Sequence, residues 1–345
     1  MVRVPHCHCG GRGFEPRQPR DHHPVPRGRG VAFPTLEPDM TVPTTPTHVP
    51  VLLTPVLAAA AGARRVVDAT LGDGGHAASL LASGAELLGI DRDPGAIAGS
   101  RERLGEVGVR YLNVEYADPA ALADVAAFHP DFILVDLGVS SRQLDETARG
   151  FTFRPGAPLD MRMGEGKRTA ADVLNHVEER ELERVFADYG DERKARRLAG
   201  EVVRRRKRQP FATSDDLVNA IRAVLGPRAG PPEFARLFQA VRIAVNDELA
   251  GLARALPAFR DALAAGGRLA IITYHSGEDR LVKQAFREWA SDCICPPRQP
   301  VCTCRGRALG RVEPRKPILP GPDELSGNPR ARSAKLRIFR VADAP

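Results

Sequence analysis

At 345 residues and 43% hydrophobic, the chain can bury one large core with a smaller module beside it. No apolar run approaches the roughly twenty residues of a membrane span, and the first residues lack the apolar stretch of a secretory signal. A formal charge of +7 (pI about 9.3) leans toward a polyanionic partner, while six cysteines in three C-x-C pairs suit the reducing cytoplasm rather than a secreted disulfide scaffold.

Residues 1–40 are dominated by Pro, Arg, Gly and His and are expected to form a disordered leader, with Met40 the expected true start. His6-Cys7-His8-Cys9 carries metal-type side chains, but a short cluster without a second pair is read as no site. Folding is expected from His48-Val49-Pro50-Val51-Leu52-Leu53 into a helix over 55–61. Strands follow over 65–69, 86–90, 110–114 and 132–136, with helices between them. The fourth, Phe132-Ile133-Leu134-Val135-Asp136, is a near-continuous apolar run, as a buried parallel strand requires.

The most informative stretch is Val66 to Ala78, a strand, a glycine-rich turn and a helix. Glycines let backbone pass close to a ligand, and the helix start offers unpaired N–H groups. The next strand ends in Asp91, placed to take both hydroxyls of a ribose. Gly72-Asp73-Gly74-Gly75-His76-Ala77 also fits the loose dinucleotide pattern G-x-G-x-x-A, which admits a nicotinamide cofactor. Asp68 beside the turn would repel a pyrophosphate yet suit an ammonium, which favours S-adenosylmethionine. Asp68, Asp91 and Asp136 each close a strand and are expected to converge at one crevice.

From about Asp145 the βα rhythm stops, and helices are expected over 170–175, 178–189, 192–208 and 214–224. Nine cations, among them Arg193, Arg196, Arg197 and Arg204 to Arg208, crowd the third of these, which reads as either a phosphate-contacting or a solvated face. Val241, Val245, Leu249, Leu252 and Leu256 recur at helical spacing and read as core. A fifth strand over 268–274 leads to His275-Ser276-Gly277-Glu278. Lys335 to Val341 alternates polar and apolar and is expected to be the half-exposed edge strand that closes the sheet. Cys293, Cys295, Cys302 and Cys304 resemble a four-cysteine zinc knuckle, the alternative being reduced, unligated thiols. Eleven Lys/Arg against three Asp/Glu between 293 and 340 make a second candidate nucleic-acid surface. The expected division is sheet core over 41–144 and 236–290, an inserted helical subdomain over 145–235, and a cysteine-pair and basic tail over 291–345.

With these blocks in place, the chain resembles the bacterial 16S ribosomal RNA cytosine-N4 methyltransferase family, called MraW or RsmH, from about His48 to Arg340. The blocks that carry the resemblance are 48–53, 68–76, Gly89 to Pro94, Asp136 to Asp145, Arg149-Gly150-Phe151 through Leu159 to Met163, Phe238 to Asn246, and Asn328 to Ser333. The resemblance implies an α/β, Rossmann-like class I methyltransferase sheet with an inserted all-helical subdomain. It implies S-adenosylmethionine as donor and a cytosine in the decoding region of the small ribosomal subunit RNA as acceptor. By position it places Gly74, Gly75, His76, Asp91, Tyr116, Asp136 and Gln143 on the cofactor. Gly277 departs from the family, which usually has an apolar residue there.

The cytosine amine is a poor nucleophile, and a fixed acceptor for one N–H would return electron density to it. Many amino-methylating enzymes use a D/N/S-P-P-Y/F tetrapeptide after strand four, where this chain has Asp136-Leu137-Gly138-Val139. The expected acceptor is therefore Asp136 or His275, with a capping histidine as the alternative for the latter. Rival readings are a methyltransferase acting on DNA, another RNA or a small molecule, an NAD-dependent oxidoreductase, and a non-catalytic RNA-binding protein.

Overall fold

A computed structural model describes residues 50–343 apart from 167, 297, 298 and 300. The leader over 1–40, Met40 as the start and His6-Cys7-His8-Cys9 lie outside the described residues. The chain runs α1 (Leu53–Ala59), β1 (Arg65–Asp68), α2 (Gly75–Ala82), β2 (Glu86–Asp91), α3 (Pro94–Leu104), β3 (Val109–Asn113), α4 (Pro119–Phe128) and β4 (Phe132–Asp136). Asp-Pro pairs start two of these helices. Asp93 accepts the Gly95 N–H at 3.0 Å and Asp118 the Ala120 N–H at 2.8 Å, while Pro94 and Pro119 take the first helical positions.

After α5 (Ser141–Asp145) come five helices, α6 (Ala170–His176), α7 (Glu179–Arg184), α8 (Ala195–Arg206), α9 (Ser214–Leu225) and α10 (Pro231–Asn246). The chain then returns to the sheet through α11 (Glu248–Ala262), β5 (Arg268–Thr273), α12 (Ser276–Trp289), β6 (Gly310–Val312), α13 (Pro322–Gly327) and β7 (Lys335–Val341). The single sheet has the order β3-β2-β1-β4-β5-β7-β6, with the first five strands parallel and the last two pairings antiparallel. This is the α/β, Rossmann-like class expected. Strand order reverses between β1 and β4, which opens a crevice beyond their carboxyl ends.

Side chains alternate across the strands with period two. Val66, Leu87, Phe132, Leu134 and Ile272 pack under α1 and α2, while Val67, Leu88, Ile133, Val135 and Ile271 pack under α11 and α12. The helical stretch has a core of its own, centred on Leu174, Phe186, Leu198, Leu217 and Leu237. Phe238 and Val241 belong to that core, so the expected boundary at 235 falls inside α10. Asp247, in left-handed backbone at φ 53°, separates α10 from α11, and the apolar series splits there, with Leu252 and Leu256 serving the sheet.

One expectation fails. β7 is not the edge strand, because β6 pairs along its outer side and Leu336 to Phe339 are all buried. Its apparent polar face is closed by ion pairing: Arg337 Nε lies 2.8 Å from Asp279 Oδ1 on α12.

Candidate active site

A cavity of about 310 Å³ occupies the carboxyl ends of β1, β2, β4 and β5. Its wall includes Gly72, Gly75 and His76 from the first turn, Asp91 at the end of β2, Tyr116 after β3, Asp136 at the end of β4 with Leu137 to Ser140 beyond it, and Tyr274 and Glu278 after β5. Gln143, then Met163 and Arg242 from the helical insertion and Glu248 at the start of α11, line it as well. Six of the seven expected cofactor residues thus share one crevice. The exception is Gly74, which is absent from the wall. It sits at φ 73° as the N-cap of α2, and a Cβ there would press on Leu104 Cδ1 at 3.0 Å and Ser100 Oγ at 3.1 Å. Gly74 shapes the turn, and its neighbours face the ligand space.

The Asp91 carboxylate accepts the Gly72 N–H and the Asp93 N–H, both at 2.8 Å. A carboxylate has about four lone-pair directions, so two remain for a pair of ribose hydroxyls. Asp68 does not converge with it, contrary to expectation. It is 1% exposed beneath the turn, outside the crevice wall, and accepts the Thr70 N–H at 3.2 Å. Burial pushes its pKa up to about 7, so at neutral pH it carries only part of the repulsive charge assigned to it.

Asp136 is the centre of the polar wall. Its backbone N–H donates to Thr70 Oγ1 at 2.6 Å, and Tyr274 Oη donates to its Oδ1 at 2.9 Å. His76 Nδ1 stands 3.8 Å from Oδ2, and His76 Nε2 lies 2.9 Å from the Val51 carbonyl, which makes Nε2 the protonated nitrogen. Burial lowers the His76 pKa, which keeps the ring neutral. Burial raises the Asp136 pKa to about 7; the Tyr274 hydroxyl works against that rise and Glu278 adds to it.

His275 stands outside the crevice wall. Its Nδ1 accepts the Gly277 and Glu278 N–H groups at 3.2 and 3.4 Å, capping α12, and its Nε2 lies 3.1 Å from Glu278 Oε1. The ring is a helix cap, which withdraws it as the proton acceptor. Gly277 sits in that first turn with Leu249 Cδ1 3.2 Å from where a Cβ would stand.

The insertion is tied to the crevice by polar side chains. Gln143 Nε2 donates to Asp93 Oδ2 at 3.3 Å and to the Met163 carbonyl at 3.4 Å. Arg149 bonds the same Asp93 oxygen at 2.8 Å, and Asn246 holds the Met163 N–H at 2.9 Å and the Met161 carbonyl at 2.7 Å. At Gly164 an added Cβ would collide with the Arg92 carbonyl, so the insertion's backbone rests directly on the end of β2.

The wall carries six carboxylates (Asp73, Asp91, Glu115, Asp136, Glu248, Glu278) against four guanidiniums (Arg92, Arg103, Arg242, Arg330). Arg92 pairs with Glu115 at 3.4 Å and Arg242 with Glu248 at 2.8 Å. Among the described residues, Asp91, Asp136 and Glu278 pair with no Arg or Lys. The crevice therefore suits a ligand that carries positive charge beside a ribose. Thr70, Tyr274, Glu278 and the Arg242–Glu248 pair were not marked as site residues in the sequence; Tyr274, one residue past β5, was the readable signal.

Both basic surfaces are thinner than the sequence suggests. In α8, Glu201 takes Arg204 at 2.7 Å and Arg205 at 2.6 Å, and Arg206 caps α6 through the Val177 carbonyl at 2.7 Å. Arg193, Lys194, Arg196, Arg197, Lys207 and Arg208 remain exposed. In the tail, Arg330 pairs with Asp145 at 2.7 Å, and Arg337 and Lys335 share Asp279. The four cysteines meet outside the crevice, their sulfurs all within 4.8 Å of one another.

Residues 45–342 match the MraW methylase family. The ribosomal RNA small subunit methyltransferase H of Gemmatimonas aurantiaca is 58% identical over 86% of this chain and 95% of its own length. The proteins of the same name from Heliobacterium mobile and Symbiobacterium thermophilum are 46% and 43% identical, each over 84% of this chain and over 97% and 95% of their own lengths. On that extent and identity, the chain belongs to the MraW methylase family.

Proposed function

We propose that the crevice binds S-adenosylmethionine and that the protein methylates the exocyclic N4 of a cytosine in the decoding region of 16S ribosomal RNA, in the cytoplasm. The observation that carries this reading is the group of carboxylates with no Arg or Lys partner among the described residues, Asp91, Asp136 and Glu278, around a turn built for close approach. Asp91 takes the ribose hydroxyls, Tyr116 borders the adenine, and Gly75 and His76 bring backbone to the amino-acid end. When bound, the donor supplies an activated methyl group. Asp136, held by Tyr274 and Thr70, would accept one N–H of the cytosine amine and take its proton as the new C–N bond forms and the methyl–sulfur bond breaks, its electron pair staying on the departing thioether sulfur. The Arg242–Glu248 pair and Met163 close the wall and exclude water. Among the described residues no helix is long and apolar enough to cross a membrane.

The substrate base is stacked in RNA and must be presented in an opened conformation, with phosphates gripped around it. Arg193, Arg196, Arg197, Lys207 and Arg208 are the exposed cations assigned to that grip. Small subunits lacking the modification, incubated with the protein and a methyl-labelled donor, should yield N4-methylcytidine at one position after nuclease digestion. Label on another base, or none, would overturn the assignment. RNA affinity should fall at least about tenfold between low and physiological salt while donor affinity stays level.

Tyr274→Phe gives a finer check. Loss of its hydroxyl removes a bond that stabilises the Asp136 carboxylate, so the Asp136 pKa should rise above about 7. The acid limb of the pH–rate profile should move to higher pH with donor affinity nearly unchanged. A profile that stays in place would separate Tyr274 from the titrating group.

A further inference from the structure

Between α12 and β6 the described residues from 290 to 309 form no helix or strand, and none of them is buried. Ile294 and Val301 are 44% and 71% exposed, so the loop has no apolar core. A stretch of this length without secondary structure is uncommon in a folded domain unless something other than burial fixes it. What converges inside it is sulfur. Cys302 Sγ lies 3.8 Å from Cys293 Sγ, 3.8 Å from Cys295 Sγ and 3.5 Å from Cys304 Sγ, and Cys304 Sγ is 3.8 Å from Cys293 Sγ.

These separations decide between chemistries. A disulfide would bring two sulfurs to about 2.05 Å, which none of the pairs approaches. A tetrahedral ion with metal–sulfur bonds of about 2.3 Å spaces its four sulfurs roughly 3.8 Å apart. We propose that Cys293, Cys295, Cys302 and Cys304 bind one zinc ion as a closed structural site. All four positions are filled by protein, so no place is left for water or substrate, in keeping with its position outside the crevice.

The surroundings serve the same end. The Ile294 N–H points at Cys304 Sγ from 3.4 Å, the outer-sphere bond that steadies a thiolate ligand. Arg305 donates to the Ser291 carbonyl at 3.1 Å and also to the Glu288 carbonyl, fastening the knuckle to the end of α12. Each thiol gives up its proton on ligation, and the ion with four thiolates carries a double negative charge, with Arg305 and Arg307 following the last cysteine in sequence. With no core beneath it, the loop's order rests on the metal.

The full chain, purified from zinc-supplemented cells without chelator, should carry about one zinc per molecule by elemental analysis. Cys7→Ser/Cys9→Ser should keep that zinc, and Cys295→Ser/Cys304→Ser should lose it and be cut faster by protease within 293–304. Exchange with cobalt should give the intense absorption of a tetrahedral thiolate site. Zinc far below one per chain, zinc lost from the leader variant instead, or a cobalt spectrum of octahedral oxygen type would each overturn the site. Calorimetric binding of S-adenosylhomocysteine serves as the folding control; if Cys295→Ser/Cys304→Ser is unfolded, the cobalt spectrum of the parent decides.

Discussion

Asp136→Asn should lower methyl transfer by about 10²–10⁴-fold while leaving a folded protein that still binds the donor. The amide keeps the shape and can still accept the Tyr274 hydroxyl, but it cannot take a proton from the amine. The parent rate should rise with pH and level off above about 7, because burial raises the Asp136 pKa to that value. The residual rate of the variant should lack this dependence. Stability should move the opposite way. A carboxyl whose folded pKa lies above its unfolded value contributes stability that is full below the unfolded value and is lost as pH rises through about 7. At pH 8 the parent therefore carries a buried charge at a cost the variant does not have, on the order of a few kcal/mol at most. Single-turnover rates and thermal midpoints across pH 5–9 test both signs. A fall in activity accompanied by a lower midpoint at pH 8 would mark Asp136 as structural.

The second large effect concerns the Arg242–Glu248 pair, which joins α10 to α11 through Arg242 Nε and Nη2, at 2.9 and 2.8 Å. The side chains are 14% and 11% exposed, so removing one strands a charge in a nearly dry site. Arg242→Met should destabilise the protein by about 3–5 kcal/mol and open the crevice wall. Arg242→Met/Glu248→Leu should recover most of that loss, because the stranded carboxylate is gone too. Denaturant titration of the two variants makes the comparison. Equal destabilisation of both would mean that packing, not charge, holds this junction.

The sheet was legible because β1, β2 and β4 are largely apolar runs that end in an acid, and Asp-Pro pairs announce two of its helices. The crevice was legible for the same reason, since strand tips in such a sheet must meet. What one dimension hid was depth and partnership. Asp68 and Asp91 look alike in sequence, yet one lies under the turn and the other beside it. His275 shows the same ambiguity, and only the N–H groups aimed at its ring make it a cap. Lys335 and Arg337 suggested a solvent face because Asp279, which neutralises them, lies on another element. The cations of α8 were overcounted although Glu201 stands three and four residues before two of them, a pairing that helical spacing exposes. Tyr274 was missed as a site residue because its partner, Asp136, is distant in the chain.

The three residues of β6 have a consequence for how molecules of this protein meet. Without them β7 would offer the outer backbone edge of Phe339, Arg340 and Val341, unpaired, to any passing chain. Such a border invites strand-on-strand aggregation. β6 replaces it with a short, arginine-bearing rim that ends at Glu313-Pro314, too brief to template a neighbour.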